Sequence, residues 1–209
     1  MHRLDGIQYK MDTKQRKPRG RPSSRLQILD AAETVVFEVG ANHLTLDAVA
    51  DRAGVSKGGL LYHFPTKEAL LQAMLRRFIE EHHARRNELC ARLPRTPDAQ
   101  FRALIATKLE KDIGDDCQMA QSMLAASAES PQLLDPVREA HDCENAMLGQ
   151  TRDPDLARLL WLATEGLMVT EMLAMNPFSA AERASVISLI ERLADTMCRP
   201  DSPTPPPQQ

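Results

Sequence analysis

The segment from Thr45 to Lys67, TLDAVADRAGVSKGGLLYHFPTK, constrains the fold of this chain more than any other. Its first half places Val49, Ala50 and Ala53 at helical spacing, which predicts a short helix with one small, apolar face. Gly54 follows at a point where the chain must turn sharply and where a residue that tolerates positive φ is favoured. The segment therefore predicts two short helices joined by a tight turn, followed by the start of a long helix.

The second short helix has one buried face and one exposed face. Ser56 can cap this helix by accepting a backbone N–H, and we expect Leu60 to anchor it from the inside. The exposed face would carry Lys57, Gly58, Gly59, Leu61, Tyr62 and His63. This is the pattern of a helix-turn-helix, whose second helix lies in the DNA major groove. An αα-hairpin in any helical protein can show a similar pattern, so the pattern alone leaves that alternative open.

A longer run, GVSKGGLLYHFPTKEALL, carries a more specific signal. It resembles the DNA-binding domain of TetR-family transcriptional regulators, in which the recognition helix ends in an aromatic–His–Phe run and a K-E-A-L segment opens the next helix. The resemblance covers about residues 25 to 79. It implies an all-α fold of about nine helices: three in an N-terminal helix-turn-helix domain, and six in a C-terminal domain for ligand binding and dimerisation.

The resemblance also implies roles for individual residues. It places Lys57, Gly58, Gly59 and Leu61 towards the bases, and Tyr62, His63 and Lys67 on phosphates. Thr45 is expected to cap its helix near a phosphate. With Ser56 and two arginines of the N-terminal arm, the predicted DNA-binding set is Arg19, Arg21, Thr45, Ser56, Lys57, Gly58, Gly59, Leu61, Tyr62, His63 and Lys67.

Two of these positions depart from the family's common pattern. Gly59 stands where a side chain often contacts DNA, and Leu61 is apolar where an aromatic residue is frequent. A glycine within a helix costs about 1 kcal/mol, but it lets the backbone approach the bases, and Leu61 can touch a thymine methyl. Hydrogen-bonding readout of bases then depends mainly on Lys57, so we expect DNA shape to supply part of the specificity.

Charge is divided unevenly along the chain, although the formal net charge is only −3. Residues 1–28 carry eight basic side chains against Asp5 and Asp12, whereas the rest carries 18 basic and 27 acidic residues. Such a division indicates a polyanion-binding end attached to an acidic body.

Within the basic end, Pro18 to Pro22 reads PRGRP and is similar to an AT-hook, whose Arg-Gly-Arg core enters a narrow minor groove. Non-specific attraction to phosphates is the alternative.

The remaining helices are predicted from caps and prolines. An apolar stripe from Ile28 to Val39, ended by Gly40, predicts a first helix from Ser24. Thr66 caps a long helix to about Arg92. Thr96-Pro97, Ser130-Pro131 and Asp153-Pro154 each place a capping residue before proline, which predicts helices near 97–113, 131–149 and 154–175, with a shorter one from 115 to 129. A capping box at 179–182 opens a last helix to about residue 198.

These elements predict four segments. Residues 1–23 form a basic flexible arm, 24–70 the helix-turn-helix domain, 71–198 the ligand-binding and dimerisation domain, and 199–209 a disordered, proline-rich tail. The last two long helices carry more apolar surface than one small core requires. A protein that binds a two-fold operator must hold two recognition helices ~34–36 Å apart. The last two long helices are therefore expected to form a homodimer interface, with an intramolecular core as the alternative.

A possible effector site is suggested by one face of the helix near 154–175. Trp161, Glu165, Met168, Met172 and Met175 recur at helical spacing, and methionine-rich linings adapt to varied apolar shapes. Two more methionines are expected to join them, which gives the predicted ligand-binding set Met119, Met123, Trp161, Glu165, Met168 and Met172. The hypothesis is a pocket for a small lipophilic effector, with Glu165 favouring a cation; the alternative is that this face belongs to the core or the dimer seam.

The sequence argues against several other classes. It has no glycine-rich phosphate loop, no nucleophile elbow and no metal-ligand spacing, so we expect neither an enzyme nor a cofactor. The four scattered cysteines are expected to be buried or half-buried thiols. Apolar runs are far shorter than the ~20 residues of a membrane span, and the polar start indicates a soluble, cytoplasmic protein. We therefore expect a ligand-responsive repressor that binds a palindromic operator as a dimer, the alternative being an architectural or ligand-independent DNA-binding protein that uses the basic arm.

Overall fold

The computed structural model describes residues 24–96, 98–110 and 114–197, with side chains from residue 118 onward in the last range. These residues form helices and no strand, which confirms the all-α prediction. The nine described helices are α1 Ser24–Val39, α2 Leu46–Ala53, α3 Lys57–His63, α4 Lys67–Arg92, α5 Ala99–Lys108, α6 Gly114–Ser127, α7 Asp135–Leu148, α8 Pro154–Met172 and α9 Ala180–Met197. Two 3-10 turns lie at Ala41–His43 and Pro131–Leu134. Arg19, Arg21, the rest of the predicted arm and the 199–209 tail lie outside the described residues.

Helices α1 to α3 form the head, and its joints follow from local chemistry. Gly54 ends α2 in the left-handed conformation at φ 65°, which glycine adopts without steric cost. Gly40 follows α1 with φ 82° and ψ 157°, a positive-φ conformation outside the left-handed helical region that glycine also adopts. The hydroxyls of Thr45, Ser56 and Thr66 accept N–H bonds at 3.2, 3.1 and 3.0 Å and so cap α2, α3 and α4. Each cap satisfies a donor that the first helical turn leaves unpaired.

A first cluster of buried side chains, called the head core below, closes the head. It combines apolar residues of α1, α2 and α3 with the first turns of α4, and α6 contributes Met119, Met123 and Ala126. Leu60 is fully buried there, as expected for the anchor of α3. Val39, by contrast, was expected in the apolar stripe of α1 but is exposed, because it is the last residue of the helix before Gly40. The head core extends across the predicted boundary between residues 70 and 71.

A second cluster, called the body core below, lies among α5, α7, α8 and α9. Its buried members are Phe101, Leu104, Ile105, Leu109, Leu148, Ala157, Leu160, Leu167, Ile190, Ala194 and Met197. Trp161 packs against this cluster while partly buried. The two cores are joined by α4, whose first turns contribute to the head core and which also packs against α5 and α7.

Several predicted helix limits need correction. The helix expected from Pro131 begins as a 3-10 turn, and α7 starts only at Asp135. Pro136 explains the difference, because its nitrogen cannot donate the bond that a continuous α-helix would need, whereas it fits the first turn of a new helix. The α8 helix ends at Met172 rather than near 175, and Ala174 then turns the chain with φ 53°.

The other caps divide into two groups. Asp153 caps α8 by accepting from Leu156 N–H at 3.1 Å, as predicted. The capping box before α9 is also confirmed: Ser179 N–H donates to Glu182 at 2.8 Å, and Glu182 N–H donates to the Ser179 hydroxyl at 3.3 Å. Ser130 makes no capping bond, and α5 begins at Ala99, two residues after Pro97, which lies outside the described residues.

Candidate nucleic-acid interface and effector site

The exposed face of α3 is the first candidate site. Tyr62 projects into solvent with 86% of its surface exposed, and Leu61 is 36% exposed. Lys57 and Gly58 are exposed at the first turn of the same helix. Because Leu60 points inward, α3 can present these groups only on its outer side. The structure thus exposes Lys57, Gly58, Leu61 and Tyr62 on one side of α3, whereas Gly59 and His63 are half-buried. The DNA contacts of these residues stay predictions.

Three polar residues of this surface are held by contacts within the head. The Lys57 ammonium lies 2.8 Å from an Asp47 carboxylate oxygen, and both side chains are more than half exposed. Lys67 donates to the carbonyl oxygen of Asn42 at 2.6 Å. His63 Nε2 lies 2.7 Å from the Ser24 hydroxyl. An exposed ion pair of this kind contributes little stability, so Lys57 can exchange Asp47 for a phosphate or a base at small cost.

The two glycines of α3 differ in their surroundings. A Cβ atom added at Gly58 would meet no heavy atom within 4 Å. A Cβ added at Gly59 would lie 3.2 Å from the Ser56 hydroxyl oxygen that caps the helix. Gly59 is therefore favoured by the protein's own geometry, whereas nothing within the described head requires Gly58 to lack a side chain.

The long helix α4 carries polar links in both directions. Arg77 donates to Asp30 at 2.6 Å and also pairs with Glu33, so that α4 is tied to α1 of the head. The preceding residue, Arg76, pairs with Glu139 of α7 at 2.6 Å. The hydrogen bond from Arg76 lowers the pKa of the Glu139 carboxyl, although both groups are exposed. Because α4 packs against both α7 and α1, a displacement of α7 would reach the head through α4.

The second candidate site is a group of charged side chains enclosed by α4, α5, α7 and α8, called the charge cluster below. The Lys108 ammonium pairs with the Glu165 carboxylate and lies 3.4 Å from Glu144 Oε2. Arg86 approaches the other oxygen of Glu144 at 3.8 Å. Each of these four side chains exposes less than a fifth of its surface. Two carboxylates and two cations thus balance one another in a poorly hydrated space.

Aromatic rings complete this cluster. Trp161 Nε1 donates to Glu144 Oε2 at 2.8 Å, and the Lys108 ammonium lies 5.9 Å from the centroid of the same indole ring. His141 meets Trp161 edge to face, with the ring centroids 5.2 Å apart. His83 on α4 lies nearby, and burial, followed by the charge of Arg86, lowers the pKa of its imidazole. The cluster is therefore a mixed aromatic and ionic site.

Donor atoms of His141, Glu144 and Glu165 all lie within 4.8 Å of one another, a set that can in principle hold a metal ion. In this structure the Lys108 ammonium lies against both carboxylates. A divalent cation would need to displace that ammonium before it could bind both oxygens. Among the described residues this is the one group of three His, Cys or acidic side chains with such spacing.

The predicted ligand-binding residues do not gather in one place. Trp161 and Glu165 belong to the charge cluster, and Met168 and Met172 lie half-buried further along α8. Met119 and Met123 are buried in the head core instead, as parts of α6. Met175, which was expected on the same face of α8, lies beyond the end of the helix and is 67% exposed.

Two surface cavities lie in the body. A cavity of about 310 Å³ is lined by His141, Asp142, Asn145, Leu148, Arg158, Trp161 and Leu162, so it shares the indole ring and the imidazole with the charge cluster. A cavity of about 440 Å³ is lined by Cys90, Arg95, Thr96, Ala99, Gln100, Phe101, Met147, Gln150 and Thr151. Cys90 is half-buried, but Cys143 is exposed, contrary to the expectation for the cysteines.

Sequence reasoning missed three members of the charge cluster: Arg86, Lys108 and Glu144. His83 and Arg86 follow Ile79 on α4 at spacings of four and three, so helical periodicity could have placed them on its inward side. Glu144 follows His141 by three residues on α7, which places both on one face. Lys108 gave no signal, because its partners are distant in sequence.

No helix within the described residues is long and apolar enough to cross a membrane. Residues 28–74 match the family model described as bacterial regulatory proteins, tetR family. Residues 98–195 match the model described as tetracyclin repressor-like, C-terminal domain. The two matches cover the head and most of the body separately.

Individual proteins agree with these matches. The HTH-type transcriptional repressor KstR2 of Rhodococcus jostii (strain RHA1) is 33% identical over 72 residues, which cover 34% of this chain and 35% of that protein. The HTH-type transcriptional regulator BetI of Cronobacter sakazakii (strain ATCC BAA-894) is 31% identical over 119 residues, which cover 54% of this chain and 57% of that protein. The chain thus spans about a third to somewhat over half the length of these curated relatives.

A solved structure extends the similarity over nearly the whole fold. The multidrug binding protein EbrR, complexed with ethidium, superposes with a TM-score of 0.60 at 27% identity, over 83% of this chain and 99% of that chain. Two family models, curated regulators and a structural match over 83% of the chain therefore agree with the helix-turn-helix in the head and the helical body. The chain belongs to the TetR family of bacterial transcriptional regulators.

Proposed function

We propose that this protein is a transcriptional repressor that binds a two-fold operator as a homodimer and releases it when a small lipophilic effector binds the body. The exposed outer face of α3 carries the proposal, because a buried Leu60 fixes the helix while Lys57, Leu61 and Tyr62 remain available. Each well-placed base contact contributes about 1–3 kcal/mol of discrimination. The proposal assigns a binding role and no catalytic one, and since the target is DNA, the protein acts in the cytoplasm.

Lys57 and Gly58 are the residues of α3 on which base recognition depends most. Lys57 begins the helix, where its ammonium can leave Asp47 for a guanine edge. Open space around Gly58 means that its missing side chain is not demanded by the head, so the absence of a Cβ serves a close approach of the backbone to the bases. Thr45 and Ser56 cap α2 and α3 beside this face and direct backbone N–H groups towards phosphates. Arg19 and Arg21 of the arm would add minor-groove contacts.

A homodimer is supported by apolar side chains that the body leaves exposed. Leu159 and Leu162 on α8 are 62% and 60% exposed, and Val169, Leu173 and Leu189 expose more than two fifths of their surface. Other apolar residues of the same helices, such as Leu160 and Leu167, are already buried in the body core. The exposed set therefore forms a second apolar face, which pairing of α8 and α9 with a second copy would cover.

An effector is supported by the EbrR complex with ethidium, a lipophilic cation, and by the cavity beside Trp161. Glu165 would favour a cationic compound. A ligand that prefers one arrangement of the body shifts operator affinity by its difference in affinity for the two arrangements, and ~1.4 kcal/mol changes it tenfold. Helix α4 would transmit the shift, because Arg76 links it to α7 and Arg77 links it to α1.

Fluorescence anisotropy on a labelled fragment from upstream of the protein's own gene tests the proposal. We expect tight, salt-sensitive binding, and Lys57→Ala should weaken binding to the specific site by about tenfold to a hundredfold, since a lost base contact costs about 1–3 kcal/mol. Arg138→Ala removes an equally exposed cation from α7 and should leave binding unchanged. Equal losses in the two variants would contradict the role given to α3.

The same assay tests the effector when lipophilic cations that do not intercalate, such as tetraphenylphosphonium, are added. Release of the fragment supports a repressor with a ligand-responsive body. Tight binding that no compound reverses would support binding to the operator and contradict a cationic effector. Binding no tighter than to random DNA would overturn the proposal and favour an architectural protein that depends on its basic arm.

A further inference from the structure

The Lys108 ammonium occupies an unusual position for a lysine. Its side chain is only 14% exposed, pairs with Glu165, and lies 3.4 Å from Glu144 and 5.9 Å from the centre of the Trp161 ring. Lysine is a strongly hydrated cation that is seldom buried unless paired. Two carboxylates and an aromatic ring are the groups that proteins use to bind an ammonium.

We propose that Glu144, Glu165 and Trp161 form a binding site for the ammonium group of an organic cation, and that Lys108 occupies this site in the ligand-free protein. This inference specifies the chemical class of the effector in the proposed function and rests on it. It also adds a competitor within the chain: a ligand must replace Lys108 to bind. The Lys108 ammonium therefore fills the site until an organic cation that binds more tightly replaces it.

The position of Lys108 in the fold allows this exchange. It is the last residue of α5, and Leu109 then ends the helix. Its four-carbon side chain can swing away from the cluster without breaking helical hydrogen bonds. A released lysine ammonium regains strong hydration in water. An alkylammonium ion carries the same charge but loses less hydration on entering the site, so the exchange favours the ligand.

Space for the alkyl groups lies next to the charged groups. The cavity of about 310 Å³ is lined by the Trp161 ring, His141, the apolar side chains of Leu148 and Leu162, and the polar side chains of Asp142, Asn145 and Arg158, of which Arg158 pairs with Asp155. Small-molecule pockets measure about 300–1,000 Å³ and combine an apolar lining with a few polar groups. A compact organic cation can therefore place its charge at the carboxylates and its carbon groups against the indole ring.

A divalent metal is the competing occupant, since His141, Glu144 and Glu165 present donors within 4.8 Å of one another. The structure favours the organic cation for two reasons. A divalent ion would add charge near Arg86, which lies 3.8 Å from Glu144. The indole face and the apolar cavity would have no part in holding a metal, whereas both contribute to binding an alkylammonium.

The test uses Trp161, the only tryptophan of the chain, as an internal fluorescent probe. The full chain without DNA is titrated with tetrapropylammonium chloride, with sodium chloride at the same ionic strength, and with 4-heptanol as an uncharged compound that also carries propyl arms. We expect saturable changes with tetrapropylammonium alone. Lys108→Met removes the internal competitor and should tighten binding about tenfold or more, because Glu165 then lacks its cation and Glu144 keeps only Arg86 and the Trp161 N–H.

Two further variants keep the result interpretable. Arg138→Met makes the same change of charge in an exposed pair and should bind like the unmodified protein. Lys108→Met combined with Glu165→Gln removes both members of the central pair and should lose the gain in affinity. If Lys108→Met folds poorly, tetrapropylammonium should raise its thermal midpoint, and it should do so much less for the double variant.

Each of three results would overturn the inference. Lys108→Met could bind tetrapropylammonium no more tightly than the unmodified protein does, or the addition of Glu165→Gln could leave the affinity of Lys108→Met for tetrapropylammonium unchanged. The third result is that zinc chloride binds the protein and tetrapropylammonium does not. Because no DNA is present, failure of the ammonium site is separate from failure of the repressor. Binding of tetrapropylammonium to a protein that does not recognise its upstream DNA would keep the site and refute the proposed function.

Discussion

The head and the body differ in the kinds of side chain that they bury. Both cores consist of apolar side chains, but the described residues of the head bury no polar side chain beside their core. The buried polar side chains among the described residues, Asp98, Glu144, Thr151 and Thr164, all belong to the body. An apolar core favours one well-packed arrangement, whereas buried charges must always have partners and can exchange them.

This contrast matches what each region does under the proposed function. A recognition helix must keep one orientation, because a small displacement separates its side chains from the bases. A ligand-responsive body needs two arrangements of similar free energy. The apolar head core suits the first requirement, and the charge cluster between α4, α5, α7 and α8 suits the second.

The largest effect is expected from a cavity beneath the recognition helix. Leu60→Ala should lower the free energy of unfolding by about 3–5 kcal/mol, since a fully buried leucine is lost from an apolar core. The operator affinity of the molecules that remain folded should also fall, because α3 loses its anchor. Thermal unfolding and fluorescence anisotropy measure the two effects.

Leu160→Ala is the matched change in the body core, where Leu160 is also buried. It should destabilise the protein to a similar extent while the folded fraction keeps its affinity for the operator. If Leu60→Ala and Leu160→Ala reduced operator affinity equally, the head and the body would not be separate in the way that the two cores suggest.

A smaller effect distinguishes the two groups of methionines that the sequence joined in one pocket. Met123 is 1% exposed in the head core, whereas Met172 is half-buried near the end of α8. Met123→Ala should cost about 2–3 kcal/mol of stability through the cavity it leaves, without changing the response to an effector. Met172→Ala should cost less stability but alter the response. If Met123→Ala lost the response to the effector at unchanged stability, the prediction of one pocket that includes both groups of methionines would be supported.

The sequence predicted the head well because its determinants are local. Gly54, Ser56, Leu60 and Thr66 act within one turn of their own position, so spacing and capping rules place them. The capping box at Ser179 was found for the same reason. Pro136 could also have been used, since a proline five residues after Pro131 prevents one continuous helix, but the first proline was taken as the start.

The body was predicted less completely because its contacts join distant parts of the chain. Lys108 and Glu165 are 57 residues apart, and Arg76 and Glu139 are 63 apart. Periodicity showed that Trp161 and Glu165 share a face, but it could not show which helix lies opposite. It also could not show that α6 turns its methionines towards the head, because an apolar face carries no information about its partner.

The smallest expected effect is a difference in acid sensitivity between the two regions. Burial, with a further contribution from Arg86, lowers the pKa of His83 below its ordinary value of 6.5, although Glu144 opposes the shift and His82 and Lys108 add to it slightly. The unfolded chain then binds a proton at a higher pH than the folded chain does. Stability from a neutral His83 is complete above pH 6.5 and is lost as the pH falls towards the lowered folded pKa.

Acid should therefore loosen the body before the head, because His83 lies beside the charge cluster, whereas the described head core consists of apolar side chains. Amide hydrogen exchange at pH values above and below 6.5 should show earlier loss of protection in α7 and α8 than in α1 and α3. His83→Gln removes the titrating group and should reduce the difference in protection between the two regions. Its effect on the free energy of local opening should be smaller than the loss of stability in Leu60→Ala or Leu160→Ala. Equal loss of protection in both regions, or no effect of His83→Gln, would mean that the charge cluster does not make the body more sensitive to acid than the head.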